Sequence, residues 1–480
     1  MNSEPCAAAL KKWLDQTPTA FHSIRAARNS LTEGGWTEYK SMRQTDHLTP
    51  GTDGFLIKDD LGMIAFSAGA KALGDNKVAK SIPDRSTTQV TGRHADHPYL
   101  FPRMIVTHAD SPSLVLKPNA LQLNQGYLQL AVEVYGGAIL SSWFDRPLYP
   151  AGQVIFEDSD RKLNRALVEL KDWRVVLPNV AIHLNPKQNE GQSLSSQTIL
   201  TPLLGDVPED TSETFDPHTF IRLKIAQHLR VEPDRVLNYT LSLHPYSPAV
   251  HAGPNDEWIL SDRLDNQGMV EAAVSAFCAA NAAEHSGLNI LIIANHEEVG
   301  SLSSSGAKSM WFRDTLTSIY ELLGFGAVDI RNAFQQGFII SADQAHALHP
   351  NFSDLSDATN LPRINRGPVI KTAAAQSYAT SALAELVFRN LCAAVGAPCQ
   401  TFTNKTGVRG GSTVGPIISS IFPSPSIDVG NPILAMHSCC ETGGVRDQMW
   451  MKAIFREFFT VDELIKLASF DSDAEYGRMS

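Results

Sequence analysis

Three short apolar runs constrain this chain more than any other feature. Pro102 to Thr107, Leu288 to Ala294 and the stretch 337–341 are dominated by Ile, Val, Leu, Met, Phe and Ala. Runs of this length and β-branched content read as buried strands. Two of them are followed at once by residues that dislike burial, "HADSP" after Thr107 and "NHEEVGS" after Ala294, and the third leads into "ADQAHALHP". A buried strand that delivers charge at its end is either reaching the surface or building a site.

Helical patterns alternate with these runs, at about Met269 to Glu284, near 312–323 and at about Ala379 to Ala394, with a further strand at 400–403. Upstream, helices are expected at Ala7–Gln16 and about Ala20–Thr32, then strands at Gly54–Lys58 and Met63–Ser67. The polar stretch Ser81–His97 has no apolar face and reads as a mobile loop. Between Ser113 and Val250 the texture changes to alternation, as in Tyr127–Glu133 and Trp173–Leu177, which predicts antiparallel strands. The fold class is therefore α/β, with a mixed-sheet unit over 1–112 and 251–480 interrupted by a largely β insertion over 113–250. A last helix is expected from Thr460-Val-Asp-Glu463, a capping-box pattern.

Composition bounds the function. Of the 480 residues, 43% are hydrophobic and 19% charged, enough for sizeable cores in a soluble protein. The net charge of −11, from 40 basic and 51 acidic residues, forms no basic stripe and argues against a nucleic-acid partner. No apolar run approaches the roughly 20 residues that a membrane span needs. The opening "MNSEPCAAALKKWLDQ" has charges where a signal peptide needs an apolar region, and the six cysteines form no C-x-x-C. Cytoplasmic localisation follows as the expectation.

The residues at the strand ends make a chemically coherent set: His108, Asp110, Asp265, Glu297, Glu298, Asp343 and His437. Open α/β sheets place their sites outside the carboxyl ends of strands. Imidazoles and carboxylates suit zinc or a similar divalent metal, with one Asp able to bridge two ions and one Glu left as general base. Each residue also has a bland reading. A lone His is more often structural; Asp343 could cap a helix over "QAHALH"; Asp265-Asn266 could cap the Ala-rich helix; Glu297-Glu298 could be a surface pair.

The blocks "THADSP", "VYGGAILSSWFDRPL", "NPKQNEGQSL", "SDRLDN", "NHEEVGS", "SADQAHALHPNF", "GPVIK", "GGSTVGPI" and "LAMHS" resemble, in order, those of the M18 metalloaminopeptidases, typified by aspartyl aminopeptidase. The resemblance spans roughly residues 8–465. It implies a di-zinc catalytic domain interrupted by a dimerisation domain, assembled as dimers and as a twelve-subunit particle. By the same resemblance His108, Asp265, Glu298, Asp343 and His437 hold two Zn2+, other divalent metals being possible, and Glu297 is the general base. Asp110 is implied behind the first histidine, and His183 as a group reaching a neighbouring subunit's site. Lys371, His349 and Met436 are the expected substrate contacts.

Where the chain departs from that pattern, it mostly loses polar groups. After "GPVIK" stands "TAAAQSYAT", where Ala and Ser replace the usual Asn and Arg; Leu302 replaces a glutamate; and Cys439-Cys440 precede Glu441. The implied activity is removal of an N-terminal residue from peptides, acidic by resemblance, although these changes favour a smaller or more apolar residue. Two alternatives stand beside it: a hydrolase or amide-forming enzyme acting on a small metabolite amide, and a non-catalytic assembly or cargo protein. The adjacent cysteines are either small packing residues or an extra thiolate near the metals.

Overall fold

The structure is a computed structural model that describes residues 4–43, 45–71, 98–191, 194–195, 197–207, 217–408 and 410–461. Its described residues form two large sheets, one of nine strands and one of seven. The centre of the first is parallel and runs, side by side, through Leu288–Ala294, Arg103–His108, Phe338–Ala342 and Ser426–Gly430. Ala294 pairs with His108 and Ala342 with Val429, so all four carboxyl ends reach the same edge. Antiparallel Gly62–Ala68 and Val369–Lys371 flank this centre. Asp53–Lys58 and Thr37–Glu38 extend one side and Gln400–Phe402 the other.

The apolar runs are apolar throughout because both faces of the sheet are covered. Within Leu288–Ala294, Leu291 and Ile293 join one core, with Phe277, Phe388 and Phe455; Ile290 and Ile292 join another, with Phe312, Tyr320 and Phe422. The first core is roofed by helices Leu264–Ala279, Ala382–Ala394 and Val445–Thr460, and the second by Met310–Leu322, Ala327–Gln336 and Gly415–Ile421. Full burial of such side chains contributes about 1.5–3 kcal/mol each. These layers hold the edge rigid where the polar residues emerge.

The seven-stranded sheet is antiparallel and drawn from strands between Ser113 and Pro245. It has its own core, built on Leu130, Val154 and Leu243, into which the helix Pro217–Leu229 inserts Ile221 and Ile225. That helix escapes a sequence reading because its apolar residues are not gathered on one face. The expected strand at Trp173–Leu177 shortens to Val175–Val176.

Three local expectations yield to tertiary structure. Thr460 ends the helix Val445–Thr460 instead of starting one, since Met451, Phe455, Phe458 and Phe459 pull the preceding residues into the core; residues from 462 onward lie outside the described chain. Asp343 caps no helix, because Ala345–His346 pairs as a short strand with Pro432–Ile433. No side-chain hydrogen bond caps Leu264–Ala279; Asn266 instead ties Thr107 Oγ1 (2.9 Å) to the Ala342 carbonyl (3.0 Å). The expected loop Ser81–His97 also lies outside the described residues. Among the described residues no helix is long and apolar enough to cross a membrane.

Candidate metal centre

His108 closes the strand Arg103–His108, Asp343 follows Phe338–Ala342, and Glu297 and Glu298 open a single 3-10 turn after Leu288–Ala294. Asp265 enters from the start of Leu264–Ala279, and His437 from the loop between Pro432–Ile433 and Glu441–Gly444. The turns that deliver these groups are strained: Arg263, His296 and His437 all have left-handed backbones, with φ of 59°, 59° and 69°. Such conformations persist in non-glycine residues only where the surroundings enforce them.

The five candidate ligands fall into two overlapping groups, His108–Asp265–Asp343 and Asp265–Glu298–His437. Asp265 belongs to both. Its Oδ1 lies 3.6 Å from His108 Nε2 and its Oδ2 3.5 Å from His437 Nε2. Asp343 Oδ1 is 3.3 Å from His108 Nε2, and Glu298 Oε2 is 3.4 Å from His437 Nε2. Asp265 Oδ1 and Glu298 Oε1 are buried without a hydrogen-bond partner. Orphaned acceptor oxygens converging on imidazole nitrogens are what a divalent cation satisfies, so this residue set fits a metal.

Both imidazoles are oriented from behind. His108 Nδ1 faces the Asp110 carbonyl at 3.1 Å and the Asp110 carboxylate at 3.5 Å; His437 Nδ1 faces the Gly137 carbonyl at 3.1 Å. Each Nε2 is thereby left free as a ligand atom. Asp110 accepts from Tyr135 Oη (2.7 Å) and from the N–H groups of Glu297 and Glu298, both at 3.1 Å. Tyr135, Gly136 and Gly137 stand in the sequence reading only as part of the block "VYGGAILSSWFDRPL", with no role assigned to them. A Cβ on Gly136 (φ +72°) would lie 3.1 Å from Glu298 Cβ, and one on Gly137 3.3 Å from His437 Nδ1.

The electrostatics show an excess of carboxylates. Burial, reinforced by Asp343, Asp110 and Asp265 and opposed by His108, pushes Glu297 up to about 8. Glu298 is raised well above its usual range by burial and then Asp265. Burial would lower His437, yet Asp265 and Glu298 lift it to about 10. Every shift expresses a demand for positive charge, which bound cations meet.

A cleft of about 460 Å³ opens over this centre. Beyond the ligands it is lined by His346, Lys371, Tyr378, Phe402, Thr413 and Met436. That volume suits a small ligand or the end of a peptide.

A family profile described as "Aminopeptidase I zinc metalloprotease (M18)" matches residues 97–459. The chain belongs to the M18 family. It is a zinc metalloaminopeptidase, and its fold is that of its relatives. The "Probable M18 family aminopeptidase 2" of Clostridium acetobutylicum is 34% identical over 456 residues, covering 94% of this chain and 98% of its own. The protein of the same description from Pseudomonas putida is 34% identical over 457 residues, covering 95% and 98%. Among solved structures, that of an Ape4 and Nbr1 complex matches with a TM-score of 0.87 at 28% identity, covering 98% of this chain and 88% of that one. An M18 aminopeptidase from Thermotoga maritima matches with a TM-score of 0.79 at 18% identity, covering 96% and 97%.

The M18 chain places the remaining expected residues unequally. Met436 and Lys371 line the cleft. Lys371, however, spends its ammonium protons inside the protein, on the carbonyls of Asp343 (2.9 Å) and Gln344 (3.0 Å) and on Asp343 Oδ2 (3.3 Å). His349 stands outside the cleft lining: its Nδ1 accepts from the Asn351 N–H at 3.2 Å and its ring packs 4.9 Å from Phe352. Three residues earlier, His346 occupies the lining position, with its ring 5.6 Å from Phe402. His183 lies on an exposed turn of the insertion, away from this chain's own cleft lining. Leu302 is 78% exposed. Cys439 packs in the core of the insertion and burial pushes its thiol up, which favours the packing reading for it; Cys440 is exposed.

Proposed function

We propose that this M18 aminopeptidase removes one N-terminal residue from a peptide, using two divalent ions, zinc by family, with Glu297 as general base. The observation that carries the two-ion reading is the split of Asp265, one oxygen toward each histidine-centred group. His108 and Asp343 would complete one site, Glu298 and His437 the other. Bound there, the ions would supply Lewis acidity, which lowers the pKa of water and polarises the scissile carbonyl.

The protein's own groups do the rest. Glu297 takes a proton from the attacking water and returns it to the leaving amine; its place in the 3-10 turn after Leu288–Ala294 sets its carboxylate in the cleft beside the ligand set. Asp110 holds the amides of Glu297 and Glu298, so base and ligand keep a constant relation. Neutral groups, His346, Tyr378, Phe402 and Met436, dominate the described lining of the side-chain pocket, and Lys371, the lysine among those described residues, has its protons engaged. We read the preferred N-terminal residue as neutral and apolar rather than acidic.

The division into a catalytic unit (1–112 and 251–480) and a dimerisation unit (113–250) accords with the two separate sheets. Self-assembly is supported by exposed Val180, Ile182 and Leu184 around His183 and by likeness in fold to a yeast relative described as a dodecamer. Six free cysteines agree with a reducing cytoplasm.

The test is Glu297→Gln. We expect about 10²–10⁴-fold loss of turnover, with metal content by elemental analysis equal to wild type. Turnover within a few-fold of wild type removes Glu297 as the base.

A further inference from the structure

Glu441 is buried, 1% exposed, at the start of the strand Glu441–Gly444. That strand pairs with Trp258–Ser261, Glu441 standing opposite Ser261, four residues before Asp265. Its two oxygens are used separately. Oε1 accepts the His437 N–H at 2.6 Å, and Oε2 accepts the Asp265 N–H at 3.0 Å. Among the described residues neither oxygen meets a cation within ion-pair distance, so the carboxylate is aimed at backbone alone.

Those two amides belong to the residue shared by both metal groups and to the imidazole of the second group. His437 also has a left-handed backbone (φ 69°), a conformation that needs holding. We infer that Glu441 is a positioning residue that sets the second metal site, the one made by Asp265, Glu298 and His437, by clamping two of its three ligands through their backbones. This rests on the two-ion reading given above. It assigns an essential task to a residue that donates nothing to the metals and touches no substrate.

Glutamine separates this role from bulk. It has the same size but only one acceptor oxygen; its NH2 would face a backbone N–H, donor against donor, so one of the two clamps must open. Loss of an outer partner of a ligand lowers metal affinity by about 10–100-fold.

The experiment is chelator-competition titration of zinc into metal-free wild type and Glu441→Gln, with thermal unfolding of both metal-free proteins and activity as a function of zinc. We expect two ions in wild type. In Glu441→Gln one ion should weaken about 10–100-fold while the other changes far less. Metal-free unfolding should shift by no more than the few degrees that one lost buried hydrogen bond accounts for, and excess zinc should restore activity. Two ions of unchanged affinity in Glu441→Gln overturn this inference alone. So does an equal weakening of both ions accompanied by a lower metal-free melting temperature, which is the mark of a merely structural residue. A single ion in wild type overturns the two-ion reading and this inference with it. Should Glu441→Gln fail to fold, Glu441→Asp carries the test. Its shorter carboxylate keeps the charge but reaches only one amide, and unchanged affinity there overturns the clamp.

Discussion

Replacing Lys371 with methionine tests whether this lysine belongs to the protein or to the substrate. It ends the strand Val369–Lys371 and is 2% exposed. Its ammonium makes three hydrogen bonds, at 2.9, 3.0 and 3.3 Å, and sits 5.4 Å from the Tyr378 ring. Burial opposes its charge most strongly, but Asp343, together with Tyr378, Asp428 and Asp265, more than offsets this and raises the lysine above its usual value. In return Lys371 helps hold Asp343 well below the carboxylate range against the pull of burial. Methionine keeps the aliphatic stem and removes the charge. Breaking a buried pair from one side costs about 3–5 kcal/mol. The Asp343 side chain is 11% exposed on the cleft, so water relieves part of this, and we expect the lower end, about 3 kcal/mol. Denaturant unfolding of metal-free protein, with a double-mutant cycle against Asp343→Asn, measures it. In the cycle the double variant should lose much less than the sum of the two single losses. If instead stability and metal content are untouched and only KM for Asp-substrates rises, the lysine is a substrate ligand and the reasoning fails.

Two further outcomes concern specificity and assembly. On a panel of aminoacyl substrates, Leu, Met and Phe derivatives should exceed Asp and Glu derivatives in kcat/KM by about 10-fold or more, the value of roughly 1.4 kcal/mol of differential binding; the reverse order would restore the acidic reading. His183→Ala should leave metal content and particle mass unchanged while lowering kcat/KM about 10-fold, as expected for one lost hydrogen bond to substrate of roughly 1.5 kcal/mol. A wild-type chain that sediments as a fully active monomer rules out a role for this histidine in a neighbour's cleft.

Much of the centre was legible from sequence because parallel strands advertise both their burial and their ends. Leu288–Ala294 is apolar at almost every position, so the two glutamates after it had to emerge at the edge where Arg103–His108 and Phe338–Ala342 also end. The same logic explains why bland readings lost. A cap over "QAHALH" is a local possibility, but the pairing of Ala345–His346 with Pro432–Ile433 removes the helix it would cap. Thr460-Val-Asp-Glu463 carries a sound local signal, yet the aromatic residues upstream claim Thr460 for the helix they anchor. His346 and His349 are indistinguishable as letters; only the turn after the short strand decides which imidazole faces the cleft.

What stayed hidden shares one property. His108, Asp265 and Glu298 would act through chemistry that their side chains announce, so residue type and strand context sufficed to suspect them. Glu441, Tyr135 and Lys371, the last expected only as a substrate contact, hold another segment. Glu441 reaches an amide 176 positions away, Tyr135 a carboxylate 25 away, and Lys371 a carbonyl 28 away. No periodicity or motif chemistry encodes a bond to a distant partner, least of all to a backbone N–H or carbonyl, which is the same in every residue. The supporting shell of a metal site is therefore the part that sequence conceals most. In this chain it is also where Cys439 and Cys440 fall, between His437 and the Glu441 that accepts its N–H. Neither cysteine touches the clamp, since Cys439 directs its N–H to Ser142 Oγ (3.0 Å) and Cys440 to Ser438 Oγ (3.1 Å). The cysteines beside the centre thus leave its candidate ligands together, as a different substrate on the same chemistry would require.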